Sequence, residues 1–148
     1  LFTKKTVLVS LSNNRIGSTL SLERTAHLLN SLHESRSFAA VISCLPKDFL
    51  KARRMQEFLH MENQIIATPK ISDFLAILKG ADTIFACDGG IVHLAAALQK
   101  PSLFLFGGTK VERWGPLSKE ADTIAHTGHV MEISEEIILQ KLKKLLAQ

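Results

Sequence analysis

Long apolar runs are what this sequence most clearly lacks. None of its 148 residues belongs to a run near the roughly 18 residues that a bilayer-crossing helix needs, so no transmembrane helix is expected. A secretory pattern is missing too: Leu1 to Leu11 is short and leads into polar residues, not a cleavage site. Cysteine is scarce. Cys44 and Cys87 have no C-x-x-C spacing and each ends an expected strand, which suits two buried, reduced thiols in a reducing cytoplasm. The absence of G-x-x-x-x-G-K-[ST] excludes a P-loop kinase or NTPase. The segment after the first strand, "SLSNNRIGSTLS", holds one glycine, not a G-x-G-x-x-G fingerprint, so a dinucleotide site of that kind is not expected there. Without a D-x-D pair, nothing calls for a divalent metal. Internal repeats, low-complexity tracts and linkers are also absent.

Charge of one sign is only mildly in excess. A formal net charge of +4 permits an anionic ligand or a membrane surface without demanding nucleic acid. The cluster Lys51, Arg53 and Arg54 lies in an expected helix with no interleaved aromatics, so it reads as a solvated face and no nucleic-acid partner is expected.

What is present is a regular alternation. The length suits one domain with a substantial core. Short apolar or β-branched runs at Thr6 to Leu11, Phe38 to Cys44, Gln64 to Ala67, Thr83 to Cys87, Ser102 to Phe106 and Thr123 to Ala125 read as strands. Between them lie helical patterns: Ser21 to Ser35, Lys47 to His60 after Pro46, a short helix capped by Ser72 and closed by Gly80, and a helix from Ile91. Ser134 is expected to cap a last helix, with Glu135 and Glu136 in its first turn and Lys143 and Lys144 near its end. Mostly apolar strands alternating with helices predict an α/β fold: a three-layer α/β/α, Rossmann-like parallel sheet of about six strands with the first and fourth central. Ligands of such sheets sit beyond the carboxyl ends of the strands, where Ser12 to Thr19, Asp88 to His93 and Gly107 to Pro116 should converge. Gly107 to Ala121 is the one long irregular segment.

The chemistry concentrates in "CDGGIVHLAAALQKPSLFLFGGT", Cys87 to Thr109. An apolar strand ends in an acid and two glycines, and a helix starts at once. That places backbone N–H groups where anions bind, and glycine lets a ligand approach closely. "GADTIFACDGGIVHLAAALQKPSLFLFGGTKVERWGP" resembles family 9 glycosyltransferases, the lipopolysaccharide heptosyltransferases. The matching residues are Ala81, Asp82, Asp88, Gly90, His93 to Leu98, Pro101, Leu105 to Gly107, Thr109 and Trp114 to Pro116.

The resemblance implies the C-terminal, donor-binding lobe of a GT-B enzyme. Its N-terminal acceptor lobe, carrying the general base, is expected outside this chain, and a start at Leu1 instead of methionine agrees with a piece of a longer protein. The implied activity is transfer of a heptose or related sugar from an ADP-sugar to the lipopolysaccharide core, in the cytoplasm or peripherally at the inner membrane. The donor is substrate and no cofactor is implied. This chain alone is expected to show no transfer.

By the same resemblance, the stretch Asp88, Gly89, Gly90, Ile91 and His93 holds the diphosphate and sugar, with Asp88, which would repel a diphosphate, accepting from sugar hydroxyls or fixing the loop; Asp48 receives the ribose hydroxyls, and the loop Thr68 to Ile71 lies against the base. The loop after the first strand contributes Asn13, Arg15 and Ser18. Two departures stand out. Gly89 replaces a hydroxyl residue, and Ser18 replaces a phosphate-binding lysine whose charge Arg15 could supply. They leave open a second function class, a degenerate nucleotide-binding or structural module without transferase activity. Alternatives also stay open for single residues. Asp88 suits a helix N-cap, His93 a histidine bonded to a neighbouring carbonyl, and Gly107 to Thr109 a plain turn. His126 and His129 have H-x-x-H spacing but no further ligand nearby, so no metal is expected. Trp114 reads as a loop anchor on the domain edge.

Overall fold

The computed structural model describes residues 3–11 and 15–148, apart from the Ile16 side chain. Six strands form one parallel sheet: β1 (Thr6–Ser10), β2 (Ala39–Cys44), β3 (Asn63–Ala67), β4 (Thr83–Cys87), β5 (Ser102–Gly107) and β6 (Ala121–His126). Their order is β3-β2-β1-β4-β5-β6, so the order in which strands are added reverses between β1 and β4, which pair in parallel. Around it lie α1 (Leu22–Ser35), α2 (Phe49–Gln56), α3 (Ile71–Gly80), α4 (Ile91–Ala97), α5 (Val111–Trp114) and α6 (Glu135–Leu146), with 3-10 turns at Ile16–Ser18, Pro46–Asp48 and Val130–Glu132.

The two-residue period of the strands builds two cores. Val7, Val9, Ala40, Ile42, Phe85, Leu103 and Leu105 face one way and pack with Leu28, Leu29 and Leu32 of α1, Ala52 and Met55 of α2, and Ile138 and Leu142 of α6. Leu8, Val41, Ile84, Phe104 and Phe106 face the other way, against Leu78 of α3 and Val92 and Ala95 of α4. Both faces of the central strands are therefore buried, which is why their sequences are uniformly apolar.

Most expected elements are found, with differences at the ends. The helix expected over Lys47 to His60 is a 3-10 turn followed by a shorter α2, whose end tightens as Phe58 N–H and Leu59 N–H donate three residues back, to Met55 and Gln56. Ser72 does not cap α3: the helix begins at Ile71, Lys70 takes the cap position, and no side chain caps it. Ser134 stands at the cap of α6, yet its backbone carbonyl accepts from Ile138 N–H and its hydroxyl caps nothing. The segment expected to be irregular contains α5, and β6 is longer than expected because it pairs along the whole of β5.

Candidate functional site

Parallel pairing puts the ends of β1 to β5 on one edge. Ser10 is paired with Ser43, and Cys87 of β4 with Leu105 of β5. Asp88 N–H donates to Leu105 O (2.8 Å), so Asp88 continues the ladder one residue beyond β4. The chain then turns through Gly89 and Gly90 into α4.

Two clefts run along this edge. One, of about 190 Å³, is lined by Ser10, Phe74, Cys87, Gly89, Gly90 and Ile91, among others. The second, of about 220 Å³, lies between the ends of β2 and β3 and is lined by Ser43, Leu45, Thr68, Pro69, Ile71 and Phe74, among others. Phe74 of α3 borders both, and Ser10 and Ser43, one in each, are neighbours across the sheet. The first cleft lies at the β1/β4 point where strand order reverses, the usual ligand position in doubly wound sheets, and the second lies beside it.

Asp88 is almost wholly buried, and its Oδ2 accepts from Arg15 Nη1 at 2.8 Å. A buried carboxylate needs such a partner. Asp88 is therefore tied to the loop after β1, and the cap position of α4 is Gly90. Arg15 is about half exposed beside it. Ser18 is placed differently from a phosphate-facing residue. It is 1% exposed, and its hydroxyl donates to Gly107 O (3.2 Å) and accepts from Gly107 N–H (3.1 Å). A lysine substituted there would lose that bridge and bury an ammonium.

His93 is exposed on α4, two residues beyond Ile91. Asp48 stands just beyond β2, where its backbone N–H donates to Leu45 O. Its Oδ2 is buried without a hydrogen-bond partner among the described residues, an arrangement that is costly unless something outside the chain donates to it. Ile71, at the start of α3, is 66% exposed at the second cleft. Asn13 lies outside the described residues.

Elsewhere, Trp114, expected as a loop anchor on the domain edge, ends the short α5. It is exposed, with the Arg113 guanidinium 5.3 Å over its ring. His126 Nδ1 and His129 Nδ1 accept from Gly128 N–H and Met131 N–H, two turns of the same loop. No helix among the described residues is long and apolar enough to cross a membrane.

The model of glycosyltransferase family 9 (heptosyltransferase) matches residues 21–143. The chain belongs to glycosyltransferase family 9. No curated protein matches the sequence significantly. Among solved structures, Escherichia coli ADP-heptose lipopolysaccharide heptosyltransferase II superposes with a TM-score of 0.83 at 20% identity, over 98% of this chain and 47% of that one. A family 9 glycosyltransferase from Veillonella parvula gives 0.86 at 16%, over 98% and 46%. Escherichia coli heptosyltransferase WaaC with ADP gives 0.84 at 17%, over 96% and 44%. The chain thus spans less than half the length of these relatives. At such identities the likeness establishes the fold, a Rossmann-like unit of GT-B glycosyltransferases.

Both cysteines of this family 9 domain are buried at the same sheet edge. Burial pushes the Cys87 thiol up to about 11; the Leu20 backbone N–H partly opposes this, and the Asp88 carboxylate adds to it. Burial, then Asp48, also raises Cys44. A raised thiol keeps its proton in the folded state, so its contribution is complete below the ordinary value of 9.0 and is lost as pH rises towards 11. For Cys87 alone that amounts to about 3 kcal/mol. We expect stability measured by urea unfolding to fall between those pH values, and Cys87→Ser to fall distinctly less. Parallel curves for the two proteins would exclude Cys87 as the cause.

Sequence reasoning overlooked Phe74, which lines both clefts. The available signal was the apolar stripe Phe74, Ile77 and Leu78 at helical spacing, which identifies the inward face of α3 without saying what that face borders.

Proposed function

We propose that this chain is the donor-binding half of a glycosyltransferase that moves a heptose or related sugar from an ADP-sugar to the lipopolysaccharide core, at the cytoplasmic face of the inner membrane. The observation that carries the reading is the pair of neighbouring clefts on the strand-end edge, one bordered by Gly89–Ile91 at the β1/β4 reversal and the other by Thr68–Ile71. The more apolar cleft at Ile71 suits a flat base. Asp48, just beyond β2 and with a carboxylate oxygen unpartnered among the described residues, suits the ribose hydroxyls. The glycine turn suits the diphosphate, because its backbone can be approached closely. Family membership supports the same assignment, as do solved relatives described as an ADP-heptose enzyme and as a heptosyltransferase with ADP.

Inverting sugar transfer needs a general base at the acceptor hydroxyl and a site that stabilises the departing diphosphate. In this reading the chain supplies the stabilising site. The turn at Gly89–Ile91, His93 and the Arg15 guanidinium meet the charge that grows on the leaving group. The base and the acceptor site belong to the other half of the enzyme. The contrasting reading, a module that no longer binds donor, is favoured by Ser18, which carries no charge and whose hydroxyl is committed to Gly107.

Titration with ADP and with UDP, followed by calorimetry and amide chemical shifts, separates the two. We expect weak, salt-sensitive binding with ADP preferred, and shifts at residues 68–71 and 88–93. Silence in calorimetry, or shifts confined to the amino-terminal edge of the sheet, would support the module instead.

A further inference from the structure

The turn Ile16–Ser18 is fastened to the end of β5 more tightly than a surface loop requires. A Cβ placed on Gly107 would lie 1.9 Å from Gly17 O, 2.8 Å from Val130 N and 2.9 Å from Gly128 O, so three stretches of backbone meet at this one residue. The Ser18 hydroxyl closes the contact in both directions, donating to Gly107 O and accepting from Gly107 N–H. The same turn fixes Arg15, whose carbonyl accepts from Ser18 N–H (3.1 Å) and from the Thr19 hydroxyl (2.7 Å). From that fixed backbone the Arg15 side chain reaches Asp88, which is itself held to β5 through Leu105. Both ends of the Arg15–Asp88 pair are thus referred to a single strand.

We infer that Ser18 and Gly107 are positioning residues for the donor's diphosphate: their latch holds the Arg15 guanidinium beside the Gly89–Gly90 turn. This rests on the donor-site reading above. Neither residue touches the phosphates. Their effect is to remove, before binding, the freedom of a long side chain that would otherwise be lost on contact. Asp88 aims the guanidinium, and the latch sets where that aim begins. Ser18, which stands where the resemblance expects a phosphate-binding lysine, thereby serves the same ligand indirectly through a neighbour's charge.

Calorimetry with ADP and with adenosine tests this on wild type, Ser18→Ala, Arg15→Ala and the double variant, at low and high salt. Each single variant is expected to weaken ADP about tenfold and to flatten its salt dependence, and the double variant to lose no more than either single one. Adenosine, which lacks the phosphates, should bind all four alike. An independent readout is solvent exchange of the Arg15 Nε–H, expected to quicken in Ser18→Ala. Should Ser18→Ala not fold, Ser18→Cys, close in size with a weaker hydrogen-bonding group, takes its place. Wild-type ADP affinity in the Ser18 variant, equal losses of ADP and adenosine, additive effects in the double variant, or unchanged Arg15 exchange would each overturn the latch while leaving the donor site standing. Failure of wild type to bind either ligand would overturn the donor site itself, and the diphosphate role with it.

Discussion

Gly107→Ala is expected to be the most damaging single-methyl substitution on the strand-end edge, costing about 4 kcal/mol or more and leaving little folded protein at ambient temperature. The added Cβ would meet backbone atoms of Gly17, Val130 and Gly128, all closer than 3.0 Å, and backbone cannot rotate aside as a side-chain tip can. Relief would require the end of β5 to separate from the turn carrying Ser18 and from the loop leading to Val130. That would break the two Ser18 hydrogen bonds and expose Val130, which is fully buried. Gly90→Ala is the control, because a Cβ there meets nothing within 4 Å, and it should stay within about 1 kcal/mol of wild type. Urea unfolding of the two variants checks the contrast. A Gly107→Ala midpoint equal to that of Gly90→Ala would mean that the three segments do not meet as described.

The second large effect should fall on binding and spare the fold. Gly90 has helical backbone angles, φ −57° and ψ −27°, and open space at its Cβ position. A β-branched residue can therefore be accommodated in the free protein at a cost of about 1 kcal/mol. If the diphosphate lies against the Gly89–Ile91 turn, as proposed, the Val side chain in Gly90→Val takes its place. Losing two charge-assisted hydrogen bonds amounts to about 3 kcal/mol, on the order of a hundredfold in ADP affinity. The measurement is an ADP titration beside a melting curve for each protein. Undiminished affinity in a folded Gly90→Val would place the diphosphate elsewhere, and a parallel collapse of stability would contradict the open space at Gly90.

The two expectations differ because the two glycines are present for different reasons. Gly107 is surrounded by its own chain, and the requirement for a small residue is structural. Gly90 faces a cleft, and its small size matters only when something occupies that cleft. Sequence alone presented them as equivalent members of two glycine pairs, Gly89–Gly90 and Gly107–Gly108.

What the sequence by itself determined was everything governed by local periodicity and by motif. Uniformly apolar runs such as "TIFAC" and "SLFLF" defined buried parallel strands, because a strand covered on both faces has no polar side to alternate with. The helical stripes between them fixed the α/β/α layers. The offsets of Asp88, Gly90, His93 and Pro101 carried the family. Tertiary structure alone decided what those residues touch. Arg15 and Asp88 are 73 positions apart, and Ser18 and Gly107 are 89 apart. Whether such residues meet depends on which strands become neighbours in the sheet, and no local pattern encodes that. Strand order placed β4 beside β1 and β5 beside β4, and so brought Arg15 onto a buried carboxylate and Ser18 onto the backbone of Gly107. The burial of Asp48 Oδ2 without a hydrogen-bond partner among the described residues is likewise visible only once the atoms around it are in place, because no local pattern states what surrounds a side chain.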